Sequence, residues 1–431
     1  MLRGVLKSRI SGLLEIILLL IIFIAILLQG AVADIYWYPV GLLIIITFGI
    51  SLFSWEQGWI GPPRIIGLET YVLAWIAIMV LSGLVSAHRW ITVFALERFL
   101  VSLLFFYLVL WHFQSKTREK ILLWALFLFP VLISILSLIF YFARKGKFWI
   151  FPDQTKCVCG TLISHNNFAG LIILCFFLGV GLMMSLRRKS REFKSEEIAK
   201  RALLALPLLI LLLALAFSLS RGGWVSFALT SFSFIIWLAK ASRRKKFKTY
   251  GMMILGIVLL GIILSLILER KALQNRARTL NEFLADPKSG LTITGRTMLW
   301  QSTLNMIKDH PGMGIGTGAF WAEYPQYRIP GELHGESHSH NDLLQLTAES
   351  GIPASLIFLV LLFKALRIWL NNYREQMGRF ARRVSVGIIF GLCGFFFQDQ
   401  FDFHFHIPGL VYYFLALSAF LLKPGAKDQS E

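Results

Sequence analysis

Repeated long apolar runs constrain this chain more than any other feature of its sequence. A helix needs about 20 apolar residues to cross the hydrocarbon core of a bilayer, and about twelve such runs follow one another, separated by short polar joints. Hydrophobic residues make up 56% of the chain and charged residues 16%, which is the balance of an integral membrane protein. We therefore predict an all-α polytopic membrane protein. The predicted spans are 13–32, 36–53, 68–86, 91–112, 121–142, 166–186, 202–219, 222–239, 249–268, 352–370, 384–401 and 407–422.

The placement of lysine and arginine predicts how these spans are oriented. Short basic joints stay on the cytoplasmic side of a membrane, and the basic clusters at 116–120, 187–191, 243–246 and 379–383 all follow even-numbered spans. Both termini are therefore predicted to be cytoplasmic. The domain boundaries become 1–268 for spans one to nine, 269–351 for an exported loop, and 352–431 for the last three spans and a short cytoplasmic tail. The first run also imitates a cleavable signal peptide, but its apolar stretch is longer than a signal needs.

The net charge of +19 comes mostly from the same lysine and arginine residues that predict the topology. Lysine and arginine at membrane joints face anionic lipid headgroups, so membrane lipids are expected partners. No soluble basic domain interrupts the spans, and we expect no nucleic-acid partner. Cys157 and Cys159 form a Cys-x-Cys pair that is poorly placed for a mutual disulfide, and their role stays open.

A histidine cluster closes the exported loop. His334, His338 and His340, with Asn341 and Asp342, stand directly before the apolar run that begins at Ile352. Histidine has an unperturbed pKa near about 6.5 and can accept a proton at ordinary pH. The cluster therefore predicts a general base. Two alternatives remain open, namely solvated loop histidines and a zinc site, although zinc would require further regularly spaced ligands.

Two arginines on the same predicted membrane face suit an anionic substrate. Arg221 lies in the hairpin between the seventh and eighth spans, and Arg296 precedes a stretch with helical spacing in the exported loop. The guanidinium fork matches phosphate geometry, so together they could bind a diphosphate. For Arg221 the alternative is a snorkelling anchor at the membrane edge.

The glycine-rich turn HPGMGIGTGAF at 310–320 has no βαβ unit around it. It predicts either a tight turn or a backbone approach to a phosphate.

Several weaker polar signals lie near the predicted membrane surfaces. Asn166 and Asn167 begin the sixth span, where sugar binding and helix capping are equally good interpretations. Glu97 and Arg98 fall inside the fourth span, where paired structural charges are favoured over function. A final group, Asp399, Asp402, His404 and His406, ends the eleventh span and could complete an acceptor site.

Four motifs in this order resemble the O-antigen ligase family of bacterial inner membranes, which also includes O-antigen polymerases and protein O-oligosaccharyltransferases. They are SRGGW (220–224), TGRTMLW (294–300), HPGMGIGTGAF (310–320) and HSHNDLLQLTAESGIPA (338–354). The family's histidine motif is His, then Asn, Ser or Gln, nine residues and Gly. His340, Asn341 and Gly351 match it, while Ala354 stands where Gly, Thr or Tyr is usual.

The resemblance implies a GT-C-like fold, with a large periplasmic loop of short helices above a cavity that opens to the outer leaflet. It implies a glycosyltransferase of the inner membrane that moves a glycan from undecaprenyl diphosphate to a sugar hydroxyl, with inversion. In a ligase the acceptor is the lipid A core oligosaccharide. No metal or other cofactor is expected, because the leaving group is already a lipid-bound diphosphate.

The same resemblance assigns roles to residues of this chain. His340 matches the general base, and Arg221 and Arg296 match the arginines that bind the diphosphate. His338 and Asn341 are the neighbouring substrate-binding candidates, and His338 is the alternative base.

Two other functions stay open. A polymerase of O-antigen or exopolysaccharide would share donor and chemistry, with another lipid-linked glycan as acceptor. A membrane transporter would instead place broken helices and charges near the bilayer midplane.

Overall fold

The fold is taken from a computed structural model, which describes residues 2–144, 146–147, 150–186, 194–241, 291–329 and 337–423. The chain is all-helical, with 79% helix and no strand among the described residues. This confirms the expected all-α class.

Thirteen α-helices in these ranges carry the fold, and we number them in chain order. They are α1 Leu2–Leu27, α2 Asp34–Glu56, α3 Glu69–Val85, α4 Arg89–His112, α5 Lys116–Phe142, α6 His165–Ser185, α7 Lys194–Phe217, α8 Arg221–Ala241, α9 Leu291–Asp309, α10 Phe320–Tyr327, α11 Asp342–Asn371, α12 Arg379–Asp399 and α13 Pro408–Leu422. A π-helix, Asn372–Gln376, extends α11, and short 3-10 turns lie at Gln29–Ala31 and His404–His406.

Eight described helices are long and apolar enough to cross a membrane: α1, α2, α4, α5, α6, α8, α11 and α12. Three shorter apolar helices, at Glu69–Val85, Leu203–Phe217 and Pro408–Leu422, overlap the predicted third, seventh and twelfth spans. The predicted ninth span, 249–268, lies outside the described residues. A polytopic arrangement is therefore confirmed, and the number twelve stays a prediction.

The basic joints at 116–120 and 379–383 lie at the end of the helix bundle opposite the histidine turn, while the joints at 187–191 and 243–246 lie outside the described residues. The pair α6 and α12 packs antiparallel along its whole length. At one end His404 Nε2 donates to the Asn166 carbonyl at 3.2 Å. At the other end Arg383 donates to the Met184 carbonyl at 3.0 Å. The basic joint at 116–120 shares this second end, because Lys423 after α13 is paired with Glu119.

The segment between α8 and α11 folds back onto the joint between α3 and α4. Ser82 Oγ donates to the Glu349 carbonyl at 2.9 Å, and Ser86 Oγ donates to the Ile315 carbonyl at 2.8 Å. His88 pairs with Glu323 of α10 at 2.9 Å. A small core of its own, including Leu299, Met306, Phe320 and Tyr324, joins α9 to α10. Both helices therefore pack against the joint between α3 and α4.

The glycine-rich turn is filled by Glu349 of α11. The N–H groups of Gly318 and Phe320 donate to the two Glu349 carboxylate oxygens at 2.8 and 3.3 Å. The N–H of Gly316 donates to the Glu349 carbonyl at 2.8 Å. Because these donors are already bound, the turn is a packing element, and the phosphate interpretation of its backbone is wrong for these groups.

Helix α11 consists of two parts that meet at Gly351. The backbone there is left-handed, with φ of 83°, and an added Cβ would lie 2.0 Å from the Gly312 carbonyl oxygen. Only glycine meets both conditions. The first part runs from Asp342 to Ser350, and the apolar stretch of the helix follows the kink.

Candidate functional site

Three segments converge at the polar end of the bundle: the turn at 337–341, the loop at 400–407 and the first half of α9. Asn341 is the N-cap of α11, and its side-chain oxygen accepts from the Leu344 N–H at 2.9 Å. Ser339 is fully buried, and its hydroxyl donates to the Asn341 carbonyl at 2.7 Å. This capping geometry holds the turn that carries His338 and His340.

His340 faces Asp402. Its Nδ1 lies 3.7 Å from a carboxylate oxygen of Asp402, which is 3% exposed, while the imidazole keeps 19% of its surface exposed. The ring meets Phe403 edge-on, with centroids 5.0 Å apart. His340 also has a left-handed backbone, with φ of 52°, a conformation that costs free energy in a residue with a side chain and recurs at functional sites.

The Asp402 carboxylate is held in its charged form. Burial alone would raise its pKa, but His340 and the nearby His404 and Arg296 outweigh burial and lower the pKa below the usual value. An anionic Asp402 beside Nδ1 favours the imidazole tautomer with its proton on that nitrogen. The Nε2 lone pair of His340 is then the one able to accept a proton.

Arg296 belongs to the same group. It lies on α9 one turn before Trp300, and residues four apart share a helix face. Trp300 Nε1 donates to the Ser339 carbonyl at 3.0 Å, and the ring lies 6.2 Å from that of Phe401. This face of α9 therefore contacts both the histidine turn and the 400–407 loop, and the charge of Arg296 acts on Asp402.

Arg221 is the first residue of α8, beside the same loop. A Cβ at its neighbour Gly222 would lie 3.8 Å from the Phe401 side chain. Ser220 donates to the Asn166 side chain at 2.7 Å, which ties the start of α8 to the start of α6. The two predicted arginines thus approach the loop from two different helices.

His338 lies behind His340 in a polar network. Its ring stacks on Phe403 at 4.5 Å and packs against His406 at 4.5 Å. Gln345 Nε2 donates to His338 Nδ1 at 3.3 Å. Burial is the main reason that the pKa of His338 falls to about 3, and the neighbouring His406 adds to it. His338 is therefore neutral at ordinary pH and poorly suited to be the base.

His406 is paired with Asp342. The Nδ1 of His406 lies 2.9 Å from one Asp342 oxygen, and the Phe405 N–H donates to the other at 2.8 Å. Burial lowers the pKa of His406, but Asp342 and then Glu349 outweigh it and raise the pKa above its ordinary value. Asp399 lies within hydrogen-bonding reach of Asp342.

The weaker sequence signals have structural explanations here. The Asn166 carbonyl accepts from Gln398 at 2.9 Å and from His404, so Asn166 joins α6 to α12. Arg98 pairs with Asp34, donates to the Val32 carbonyl and lies 5.2 Å over the Trp37 ring. No group of three metal-binding side chains occurs within the described ranges.

Sequence reasoning brought His340, His338, Asn341 and Arg296 into one group and missed what links them. In the sequence, Asp402 stands out only as part of an acidic and histidine-rich cluster. No motif singles out Gln345 or Glu349. Their spacing gave a signal, because Asp342, Gln345 and Glu349 recur at intervals of three and four on one face of a helix. Such a polar stripe beside an apolar run predicts a buried network.

An apolar cavity of about 380 Å³ lies on the other side of this network. Its walls come from α3, α4, α11 and α13, with Trp75, Met79, Phe99, Leu361 and Leu415 among the lining side chains. Its polar end is formed by Asp342, Glu349, Asp399 and His406. The network therefore separates the His340 side of the site from a space with hydrophobic walls.

Comparison with known proteins agrees with these observations. Residues 206–359 match the family model described as O-Antigen ligase. The match covers about a third of the chain. It includes Arg221, Arg296, His338, His340 and Asn341. No curated protein matches the chain. The resemblance seen in the motifs is thus confirmed for residues 206–359, which match the O-antigen ligase family.

Proposed function

We propose that this protein transfers a glycan from undecaprenyl diphosphate to a hydroxyl of the lipid A core oligosaccharide, on the periplasmic face of a bacterial inner membrane. The observation that carries the proposal is the His340–Asp402 pair with Arg296 beside it, within the segment that matches the ligase family. A base, its orienting carboxylate and a cation that can receive a phosphate are the groups that such a transfer requires.

In this proposal His340 is the general base. Asp402 faces Nδ1, so Nε2 takes the proton of the acceptor hydroxyl as its oxygen attacks the anomeric carbon of the donor sugar. Asp402 then stabilises the imidazolium that forms. The bond from the anomeric carbon to the diphosphate oxygen breaks in the same step, and attack from the opposite face inverts that carbon.

Arg296 and Arg221 bind the departing diphosphate. Negative charge grows on that group as the glycosidic bond breaks, and fixed cations stabilise it most in a poorly hydrated site. The two arginines reach the 400–407 loop from α9 and α8, which suits a ligand held between the two helices. His338, as a neutral imidazole, and Asn341 line the approach as hydrogen-bonding groups for sugar.

A lipid-linked substrate also suits the apolar cavity. Its walls belong to helices of the membrane region, and side chains such as Met79, Phe99 and Leu361 offer a hydrocarbon chain the contacts that it has in the bilayer. The cavity shares its polar end with the network behind His340, so a chain lying there would be anchored close to the reacting groups.

The test is transfer by purified protein, with an undecaprenyl-diphosphate glycan as donor and lipid A core as acceptor. The matched pair is Arg296→Ala and Lys308→Ala, since Lys308 is an exposed cation on the same helix. Glycosylated lipid A core from the wild type and the Lys308 variant, with little from the Arg296 variant, supports the proposal.

The products of the same assay separate the other two functions. Longer glycans on the donor lipid would identify a polymerase with the same site. Donor binding with no glycosylated product from any acceptor would contradict a transferase, and a transporter would then be tested by flux across proteoliposomes.

A further inference from the structure

Gln345 occupies a central place in the network behind His340. It is 1% exposed and lies one turn into α11. Its Oε1 accepts from the Ser339 N–H at 2.9 Å. Its Nε2 contacts Glu349 Oε1 at 2.9 Å, His406 Nε2 at 3.1 Å and His338 Nδ1 at 3.3 Å.

These contacts allow only one orientation of the Gln345 amide. A backbone N–H can only donate, so the atom facing Ser339 must be the amide oxygen. The amide nitrogen then faces the two imidazoles and Glu349. One of its N–H groups is used by Glu349, and the other is shared between His338 and His406.

The amide orientation in turn decides where the protons of the histidines lie. Nδ1 of His338 and Nε2 of His406 face a donor, so in the neutral imidazoles both atoms present lone pairs. The proton of neutral His338 is therefore on Nε2, and that of neutral His406 is on Nδ1, against Asp342. A second proton on His406 would point at the Gln345 N–H and would break that contact.

We propose that Gln345 is a positioning residue for the transfer reaction, which holds the 338–340 turn and sets the tautomers of His338 and His406. The proposal rests on the function proposed above. Gln345 does not touch the reacting atoms. It acts through Ser339, which precedes His340, and through His338, whose Nε2–H becomes a hydrogen-bond donor of fixed direction.

The described charged and titratable groups that face the two histidines lie on α11, in the 338–340 turn and at the end of α12. His406 is faced by Asp342 and Glu349 from α11 and by His338 from the turn. His338 is faced by His406, Asp342 and His340. Asp399 at the end of α12 lies against Asp342.

The first experiment does not depend on transfer activity. In protein labelled with ¹⁵N at histidine, the nitrogen shifts distinguish the two neutral tautomers, and His338→Asn and His406→Asn assign the signals. We expect protonated Nε2 for His338 and protonated Nδ1 for neutral His406. The opposite tautomer at His338 would overturn the proposal, even if the protein proved to transfer no glycan.

The second experiment compares Gln345→Leu and Gln345→Glu with the same changes at Gln301, which is exposed on α9. At metal sites, loss of a hydrogen bond that orients a ligand histidine lowers activity by about 10- to 100-fold, and we use the same magnitude for Gln345. We expect Gln345→Leu to lower kcat by that factor with little change in the donor KM, and to mix the two tautomer signals of His338. The Gln301 variants should leave both unchanged.

Gln345→Glu places an acceptor opposite Nε2 of His406. It should favour protonated His406, so that neutral His406 prevails only at higher pH and the pH optimum of transfer moves to higher pH. Unchanged kcat, pH profile and imidazole signals in both Gln345 variants would overturn the positioning role. An inactive wild type would instead contradict the proposed function and leave the tautomer result to decide the role of Gln345.

Discussion

At the scale of single residues, the proposed role of His340 as a base depends on the carboxylate beside it. Asp402 is almost fully buried and lies against Nδ1 of His340 at 3.7 Å, with its pKa held low. The residue pattern alone predicted the histidine. It did not predict the partner, because His340 precedes α11 and Asp402 follows α12, so the two residues meet only in the folded chain.

Asp402→Asn tests this pairing. An asparagine keeps the shape but no longer favours the Nδ1–H tautomer or stabilises the imidazolium, so we expect kcat to fall by about 10- to 100-fold with the donor KM nearly unchanged. Steady-state kinetics checks this, with Asp153→Asn as the control because Asp153 is fully exposed. Equal kcat in the two variants would show that Asp402 does not act on the base.

His338 predicts how stability depends on pH. Its pKa is about 3 in the folded protein, so between that value and about 6.5 the unfolded chain binds a proton that the folded chain does not. The neutral His338 imidazole therefore makes its full contribution to the stability of the fold above about pH 6.5. That contribution is lost as the pH falls below this value. His406, with a raised pKa, acts in the opposite direction.

The substitution His338→Asn removes the titratable imidazole and so isolates its effect on the pH dependence of stability. Between pH 7 and pH 5 we expect the Tm of the wild type to fall further than that of the variant. Thermal melts at pH 5, 6 and 7 measure the difference. Parallel Tm curves would mean that His338 is not buried in its neutral form.

At the scale of helices, the histidine motif is a structural unit. Asn341 caps α11, nine residues of helix carry Gln345 and Glu349 on one face, and Gly351 ends the unit where the chain turns into the membrane region. The nine-residue spacing between Asn341 and Gly351 is therefore the length of this short helix.

Gly351→Ala should damage this element. Its left-handed backbone and the Gly312 carbonyl oxygen 2.0 Å from an added Cβ both oppose any side chain. We expect the free energy of unfolding to fall by more than about 1 kcal/mol. Thermal melts measure this, with Gly49→Ala in α2 as the control, where an added Cβ meets nothing within 4 Å. A variant as stable as the control would contradict the constraint.

Apolar periodicity and length predicted the described helices well, since eleven predicted spans overlap helices. Apolar periodicity did not predict the kink in α11. Nor did it predict that Glu349 accepts hydrogen bonds from the backbone of the glycine-rich turn. Both depend on contacts between residues far apart in sequence, such as Ser82 with Glu349 and Ser86 with Ile315. Local pattern does not reveal those contacts.

At the scale of the whole molecule, the two ends of the bundle differ in character. Among the described residues, one end carries the basic joints at 116–120 and 379–383, while the other carries the histidine turn, Asp402 and helices α9 and α10. The distribution of positive charge predicted this separation from the sequence, because it is a property of joints rather than of contacts.

Cysteine labelling tests the orientation. In a background without the four natural cysteines, a membrane-impermeant maleimide should label Ser337→Cys in spheroplasts, because that position is exposed at the histidine end. Lys120→Cys, an exposed position at the basic end, should react only after permeabilisation. The reverse pattern would place the histidine turn in the cytoplasm and contradict a periplasmic transferase.

The most direct test of the account is a single-turnover transfer assay on wild type, His340→Ala and His310→Ala. His310 is an exposed histidine at the end of α9 and serves as the matched control. We predict transfer by the wild type and the His310 variant. The rate of the His340 variant should be lower by about 10²- to 10⁴-fold, the contribution of a general base. A folded His340→Ala protein that transfers at the wild-type rate would contradict the central claim.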